Sequence, residues 1–231
     1  MRGAWLFILA SALCAEQPKA PLDVVLLLDS TPGMQPILAR TEIASLRPDD
    51  RAALMTFTKK ARLRQAFTSD REKLTGVLRR SSVGGHGGIA FRQPQDNPEA
   101  HVFEALAAAC RLFSSLPKDA SRKRAIVVLY GDEDSTSKPT FEALKKMLLD
   151  ASVSLWGVAV SKYDMTRRPD WTVQTPPTIP GPPGAPPVKA YRLPLPETTL
   201  KTIEKLAAAT GGAATSGEWD LPAILGRIQG R

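Results

Sequence analysis

The chain contains four nearly uninterrupted apolar runs that predict strands buried on both faces of a sheet. Such runs are typical of parallel sheets, because helices cover both sides of the strands. The four runs are Leu22–Leu28, Ala52–Phe57, Arg124–Tyr130 and Val153–Val160. A further segment, Arg62–Phe67, is short and alternates weakly between polar and apolar residues. We expect this segment to be an antiparallel edge strand.

Segments with the helical spacing of apolar residues lie between these strands. Ser69-Asp70-Arg71-Glu72 matches a capping box that opens a helix. The other predicted helices are Glu99–Phe113, a helix opened by Pro139, residues 198–209 and a short helix capped by Asp220. This alternation predicts an α/β fold with a doubly wound, mostly parallel central sheet flanked by helices and one antiparallel edge strand. We expect residues 22–231 to form a single domain.

The first fifteen residues have the features of a secretory signal peptide. Arg2 supplies a positive charge, Trp5–Leu9 begins an apolar region, and Ala10-Ser11-Ala12 matches a cleavage pattern. The apolar region is too short to cross a bilayer, and the sequence has no other run long enough to be a transmembrane segment. We therefore predict a signal peptide at residues 1–15 and export to the periplasm or to the outside of the cell.

Prolines concentrate in one segment of the second half of the chain. Ten of the 20 prolines lie between Pro169 and Pro196. Because proline lacks a backbone donor and fixes φ, we expect Thr175–Pro187 to be extended polyproline II that cannot join the sheet. We interpret residues 161–196 as a proline-rich insertion, which is either a tolerated surface loop or a partner-binding arm.

Composition and charge exclude several classes of site. The chain has 231 residues, a formal net charge of +8, two cysteines and two histidines. Two cysteines cannot form a disulfide framework or a four-cysteine zinc site. The basic residues are spread over several elements, and aromatic residues make up only 6% of the chain, so no nucleotide-stacking pattern is present. We predict no nucleic-acid partner.

Two acidic clusters follow predicted strands directly. Asp29-Ser30-Thr31-Pro32-Gly33 follows the first strand, and Gly131-Asp132-Glu133-Asp134-Ser135 follows Arg124–Tyr130. In open α/β sheets, ligands bind at the carboxyl ends of the strands, near the point where the strand order reverses. Carboxylates and hydroxyls are ligands that Mg²⁺ prefers. Two interpretations stay open, namely a ligand site at this end of the sheet, or a local turn cap and a solvated loop.

Five stretches resemble the von Willebrand factor A (VWA) domain, and they occur in the same order as in that domain. They are Asp23–Met34, Arg47–Phe57, Phe103–Ala109, Ala125–Asp134 and Leu206–Gly212. The resemblance runs from about residue 22 to the C-terminus, and the exported, single-domain form is similar to secreted bacterial VWFA-related proteins. It implies a VWA-like fold with a metal-ion-dependent adhesion site (MIDAS) in the carboxyl-end loops.

The chain departs from the family's ion-site pattern, which is D-x-S-x-S, then a loop Thr, then an Asp after the fourth strand. Asp29 matches the first Asp, and Thr31 keeps a hydroxyl in place of the first Ser. Gly33 replaces the second Ser, and the loop Thr aligns with Ala100 or with His86. The final Asp is displaced by one residue. The resemblance therefore implies a degenerate Mg²⁺-type site. Its candidate ligands are Asp29, Thr31 and Asp132.

The leading hypothesis is an exported, non-enzymatic module that binds a protein partner through the carboxyl-end loops, with or without Mg²⁺. The residues expected on the partner-binding surface are Ser30, Gly33, His86, Glu133 and Asp134. Two other hypotheses remain. One is a structural envelope protein that has no ligand, and the other is an enzyme.

The enzymatic alternative is a haloacid-dehalogenase-like phosphatase. The stretch Asp29-Ser30-Thr31 resembles the nucleophilic motif of those enzymes. Asp29 would then accept the phosphoryl group, and Asp132 would bind Mg²⁺. Those phosphatases usually have a second Asp where Thr31 stands, which argues against this alternative.

Overall fold

The computed structural model describes residues 20–31, 33–38, 41–43, 45–82, 100–117, 119–134, 136–161, 163–164, 178–179, 188–189, 191–192, 195–217 and 219–230. The predicted signal peptide and His86 therefore lie outside the described residues.

Strands and helices alternate along the described chain. The strands are β1 (Leu22–Asp29), β2 (Arg51–Phe57), β3 (Ala61–Thr68), β4 (Lys123–Tyr130), β5 (Ser154–Ala159), β6 (Tyr163–Asp164), β7 (Thr178–Ile179), β8 (Val188–Lys189), β9 (Tyr191–Arg192) and β10 (Ala213–Ser216). The helices are α1 (Gln35–Leu38), α2 (Arg71–Ser82), α3 (Val102–Ser114), α4 (Phe141–Asp150), α5 (Glu197–Ala209) and α6 (Leu221–Gly230).

The central sheet has six strands in the order β10-β5-β4-β1-β2-β3. Every neighbouring pair is parallel except β2 and β3, which are antiparallel. The strand order runs outward from β1 in both directions, so the carboxyl ends of β1 and β4 form the point where the order reverses. The predicted doubly wound, mostly parallel sheet with an antiparallel edge strand is confirmed.

The two faces of the sheet are covered by different helices. Val25 and Leu27 of β1 pack with the helices α3, α4 and α5. Val24, Leu26 and Leu28 pack on the opposite face with α1, α2 and α6. All eight residues of β1 are buried, which explains why its sequence is an uninterrupted apolar run rather than an alternating one. Each fully buried Val or Leu stabilises the fold by about 1.5–3 kcal/mol.

Two predicted helix starts are wrong by a short distance. Helix α3 begins at Val102 rather than at Glu99. Helix α2 begins at Arg71, and its first turn is capped by Asp70, whose Oδ1 accepts the N–H of Lys73 at 3.0 Å. The capping-box prediction assigned this position to Ser69, but either residue type can cap a helix.

One strand of the six-stranded central sheet, β10, was not predicted from the sequence. Its four residues are small or polar and form no apolar run, so hydrophobic patterning gives no signal for it. It begins directly after Gly212, where a Cβ would lie 1.7 Å from the carbonyl oxygen of Leu155 in β5. Glycine at this position therefore permits the close approach of the chain that brings β10 beside β5.

The described residues of the proline-rich insertion form two small antiparallel pairs. β6 pairs with β9, and β7 pairs with β8. Thr178–Ile179 lies within the stretch predicted to be polyproline II, so that prediction is wrong at these two residues. Neither pair belongs to the central sheet, in agreement with the expectation for proline-rich sequence.

In the described part of the chain, no helix combines the length and the apolar character that crossing a membrane requires.

An ion-pair cluster formed by Asp23, Arg51 and Arg122 closes the amino end of the sheet. Asp23 Oδ1 accepts hydrogen bonds from the Nε atoms of Arg51 and Arg122, each at 2.8 Å, and Oδ2 accepts from Arg51 Nη2 at 2.7 Å. Burial acts to raise the pKa of Asp23, but the hydrogen bonds and charges of the two arginines outweigh it and lower that pKa. This amino-end ion-pair cluster ties β1, β2 and the start of β4 together.

Candidate functional site

The loops that follow β1 and β4 are joined by the carboxylate of Asp29. Asp29 is the last residue of β1, and its Oδ2 accepts the N–H of Gly131, the first residue after β4, at 3.1 Å. Its Oδ1 accepts the N–H of Thr31 at 2.8 Å, which forms an Asx turn. The structure thus brings both predicted acidic loops together at the point where the strand order reverses.

Asp29 is a fully buried carboxyl group with no cationic partner among the described residues. Burial raises the pKa of Asp29 to about 6, and the nearby charge of Asp132 adds to this effect. Hydrogen bonds from Thr31 and from the Gly131 N–H act in the opposite direction but do not offset burial. The carboxyl group therefore reaches the midpoint of its titration at about pH 6, above the range of an ordinary aspartate.

The β1 loop is held tightly, which explains part of its departure from the family pattern. Thr31 is fully buried, and the N–H and Oγ of Ser30 both donate to the carbonyl oxygen of Phe57, at 2.8 and 3.0 Å. Gly33 has a φ of +90°, in the region that favours glycine. A serine would be strained in this conformation, so the missing hydroxyl of the ion-site pattern goes together with the observed path of the backbone.

Glu133 caps the N-terminus of α5. Its Oε1 accepts the N–H of Thr198, and its Oε2 accepts the N–H and Oγ1 of Thr199, all at 2.8 Å. Although partial burial acts to raise the pKa of Glu133, these hydrogen bonds hold it below its usual value. A carboxylate at a helix N-terminus is also stabilised by the helix dipole.

Asp134 caps the N-terminus of α3 in the same way. Its Oδ2 accepts the N–H of Phe103 at 2.7 Å and the Oγ of Ser137 at 2.6 Å. The N–H of Asp134 donates to Thr199 Oγ1 at 2.7 Å, so the two capped helices are linked through this one loop. The two neighbouring acids therefore fix the β4–α4 loop against α3 and α5.

The sequence prediction missed the participation of these two helix N-termini in the site. The N-cap positions of α3 and α5 are occupied by His101 and Pro196, and neither side chain forms a cap hydrogen bond. The first N–H groups of helices that lack a capping residue of their own need a hydrogen-bond acceptor from elsewhere in the chain. The absence of Ser, Thr, Asp or Asn at these helix starts is the sequence signal that could have predicted the arrangement.

The chain enters α3 beside the same loop. The N–H of His101 donates to the carbonyl oxygen of Thr58 at 3.1 Å, and His101 Nε2 lies 3.0 Å from Thr136 Oγ1. Ala100, one candidate counterpart of the family's loop Thr, is buried and carries no side-chain oxygen. His86, the other candidate, lies outside the described residues.

The residues at this end of the sheet do not make the ligand set of a complete Mg²⁺ site. Asp29, Thr31 and the half-buried Asp132 carry oxygens, but Gly33 and Ala100 have none in their side chains. Both Asp29 oxygens already accept backbone N–H groups. Among the described residues, no group of three or more His, Cys, Asp or Glu side chains converges as a metal site would require.

Comparison with protein-family models finds no match, and comparison with curated proteins finds none either. Solved structures do match. BatB from Bacteroides thetaiotaomicron is 17% identical, with a TM-score of 0.55, and the match covers 90% of this chain and 96% of that one. An aerotolerance-related membrane protein from Bacteroides fragilis is 14% identical, with a TM-score of 0.50, covering 91% and 100% of the two chains. A von Willebrand factor type A structure from Catenulispora acidiphila is 15% identical, with a TM-score of 0.49, and the match covers 91% of this chain and 42% of that one.

Likeness at these identities concerns the fold alone. The chain has a VWA-like fold, whose six-stranded sheet, antiparallel edge strand and flanking helices match the architecture expected from the sequence.

Proposed function

We propose that this chain is an exported, non-enzymatic interaction module that binds a protein partner through the loops at the carboxyl end of its sheet. The observation that carries the proposal is the hydrogen bond between Asp29 and Gly131, because it joins two loops at the point where open α/β sheets bind their ligands. Glu133 and Asp134 support the proposal by fixing one of these loops to α3 and α5. A rigid loop surface reduces the entropy lost on binding.

The partner-binding surface would consist of Ser30, Gly33, Glu133 and Asp134, with His86 as a further candidate. Glu133 is exposed, and the surface is acidic through Asp132, Glu133 and Asp134. In this proposal Ser30 and Gly33 shape the surface through their backbone positions, and the acids present charge at its rim. A partner with a basic or hydrogen-bond-donating face would complement it.

Partner binding in this proposal does not depend on Mg²⁺. Asp29, Thr31 and Asp132 would be the remnant of a degenerate ion site that keeps a structural role. The double acceptance of backbone N–H groups by Asp29 supports that role, because it holds both loops without a metal. The missing side-chain oxygens at Gly33 and Ala100 support the same conclusion.

Export is the proposed location of the module. The charged, apolar and small-residue pattern of residues 1–15 supports it. The match to an aerotolerance-related membrane protein is consistent with a role at a cell envelope. Comparing the N-terminus of the protein purified from the medium or periplasm with that of the encoded chain tests this location directly.

Site-specific photo-cross-linking tests the binding surface. A photoreactive residue at exposed Thr136, beside the capped loop, is expected to capture one protein partner in cells that express the chain. The same residue at exposed Asp119, before β4 at the opposite end of the sheet, is the matched control and is expected to capture none. Equal capture from both positions, or capture from Asp119 alone, would contradict the proposal.

No observation among the described residues favours the phosphatase alternative. Its nucleophile would be Asp29, which is fully buried and whose two oxygens both accept backbone N–H groups. A nucleophilic carboxylate has to reach a phosphoryl group. Hydrolysis of p-nitrophenyl phosphate that disappears in Asp29→Asn would revive this alternative, and we expect no such activity.

A further inference from the structure

One edge of the sheet carries most of the protein's net positive charge. Residues 59–82 contain eight basic and two acidic side chains, a net charge of +6, while the whole chain carries +8. This segment forms the β2–β3 turn, the edge strand β3 and helix α2, which packs against β2 and β3. Basic residues that look scattered along the sequence therefore lie on neighbouring elements of the fold.

The cations of the turn and of β3 are not neutralised by carboxylates. Lys59, Lys60 and Arg62 are exposed, and none of them forms an ion pair within the described residues. Arg64 is also exposed, and its Nε donates to Thr56 Oγ1 at 2.8 Å. This hydrogen bond anchors the guanidinium of Arg64 to β2 and keeps its charge at the edge of the sheet.

The same edge combines a strand at the end of the sheet with an exposed apolar side chain. Among the described residues, β3 is the last strand in the sheet order, and β2 is its one neighbour. Arg64 lies at a register shift between β2 and β3, but Arg62 pairs with Thr56 and Arg64 donates to Thr56 Oγ1, so both arginines lie on the same face of β3. Leu63 lies between them on the other face and is 48% exposed. The opposite edge strand, β10, has only four residues and no charged side chain.

We propose that the β3 edge is a second docking site, separate from the carboxyl-end loops, for an extended acidic segment of a partner protein. The segment would pair with the free edge of β3 through its backbone, as a seventh strand of the sheet. Its carboxylates would lie opposite Arg62 and Arg64, and an apolar side chain between them would cover Leu63. The preferred sequence therefore alternates acidic and apolar residues.

An acidic segment fits this edge better than a second copy of the chain. Pairing β3 with the β3 of another copy would bring the arginines of both chains together, and like charges opposite each other destabilise strand pairing. Acidic residues in the partner would turn that repulsion into attraction.

The probe for this site is a fluorescein-labelled hexapeptide of alternating glutamate and valine, titrated with the full-length protein. We expect saturable binding by fluorescence anisotropy that weakens as salt is added, because the cations are exposed. We also expect slower hydrogen exchange of the β3 amides when the peptide is bound. A peptide in which proline replaces each valine keeps the charge but loses backbone donors, and we expect it not to bind.

Two charge reversals of equal size locate the site. Arg62→Glu in β3 is expected to weaken peptide binding about tenfold or more, since it turns a favourable cross-strand pair into a repulsive one. Lys60→Glu in the turn is the second variant if Arg62→Glu fails to fold. Lys205→Glu, at an exposed position of α5, is the matched control and is expected to leave peptide binding unchanged. Asp132→Asn is also expected to leave it unchanged, which separates this site from the proposed carboxyl-end function.

Several outcomes would overturn the proposal. Equal binding of the proline peptide, or unchanged exchange of the β3 amides, would show that no strand is added. Equal losses in Arg62→Glu and Lys205→Glu would show attraction to overall charge alone. Binding to phosphatidylglycerol vesicles without binding to the peptide would assign the edge to a lipid surface. Self-association that disappears in Arg62→Glu would assign it to a second copy.

Discussion

Asp23 and Asp29 lie near the two ends of the same strand, and both side chains are almost fully buried. Two arginines surround Asp23, and its pKa is lowered although burial acts to raise it. Asp29 accepts backbone N–H groups and has no cationic partner among the described residues, and burial raises its pKa to about 6. Both carboxyl groups are shielded from solvent, yet their pKa values shift in opposite directions, because Asp23 has two arginine partners while Asp29 lies deeper in the fold and has no cation beside it among the described residues.

The difference separates an end of the sheet that is held by paired charges from the end where we propose that a partner binds. At the amino end, Asp23 connects three strands through paired charges. At the carboxyl end, burial disfavours the ionised form of Asp29. Hydrogen bonds from the two loops hold its carboxyl group in place. Strongly perturbed carboxyl groups with this kind of environment cluster at functional sites.

The largest expected effect comes from removing the carboxylate at the amino end. Asp23→Ala leaves Arg51 and Arg122 without their shared partner, and Arg122 is only 14% exposed. We expect a loss of about 3 kcal/mol in the free energy of unfolding, measured by urea denaturation. Lys146→Ala, which breaks the exposed pair with Asp150, is the matched control and should change stability by about 0.5 kcal/mol or less. Similar losses in both variants would remove the distinction between buried and exposed pairs.

At the carboxyl end, the expected effect is a dependence of stability on pH. Asp29 has a folded pKa of about 6 and an ordinary value of 3.8. Between these values the folded protein keeps a proton that the unfolded chain loses. The contribution is fully present below pH 3.8 and is lost as pH rises through 6. We expect the free energy of unfolding to fall by about 3 kcal/mol over this range.

The variant Asp29→Asn tests whether the carboxyl group of Asp29 causes this pH dependence of stability. It cannot ionise, so its unfolding free energy should lack the decrease between pH 4 and pH 7. The variant is expected to be less stable than the wild type at pH 4, because an amide cannot accept both N–H groups. A wild-type slope that persists in Asp29→Asn would show that another group causes it.

A smaller effect is expected from the helix caps beside the site. Asp134→Ala removes the acceptor for the Phe103 N–H, and we expect a loss of about 1–2 kcal/mol with faster hydrogen exchange in the first turn of α3. Asp220→Ala removes the cap of α6 at Ala223 and provides a comparison at a helix that Asp134 does not cap. If partner capture from Thr136 survives Asp134→Ala unchanged, the rigidity of the loop is not needed for binding.

The smallest expected effect is that of Mg²⁺. Because the side-chain oxygens of a complete site are missing, we expect millimolar Mg²⁺ or Mn²⁺ to leave the melting temperature unchanged at neutral pH. Isothermal titration should likewise detect no binding heat. A saturable stabilisation that disappears in Asp29→Asn would show that the ion site is still functional.

Most of the fold could be predicted because its strands are buried on both faces and therefore form apolar runs. The runs at Leu22–Leu28 and Arg124–Tyr130 also placed the two acidic loops at the carboxyl ends of strands, whereas the strand order that makes these loops neighbours comes from the structure. β10 could not be predicted, because its four residues are small or polar and its position depends on the close approach at Gly212.

The details of the candidate site were harder to predict because its hydrogen bonds join distant residues. Asp134 and Phe103 are 31 residues apart, and Glu133 and Thr199 are 66 residues apart. The acids were assigned to a partner surface from their position after β4, and their capping role depends on where two helices begin in space. Gly33 illustrates the same limit, since its positive φ was not visible in the sequence.

A carboxyl-carbon NMR titration of the folded protein tests the contrast between the two ends of β1 most directly. We predict that Asp29 titrates with a midpoint of about 6, while Asp23 titrates below 3.8. Titration of Asp29 at or below 3.8 would contradict this prediction, because it would show that the hydrogen bonds from Thr31 and Gly131 outweigh the effect of burial.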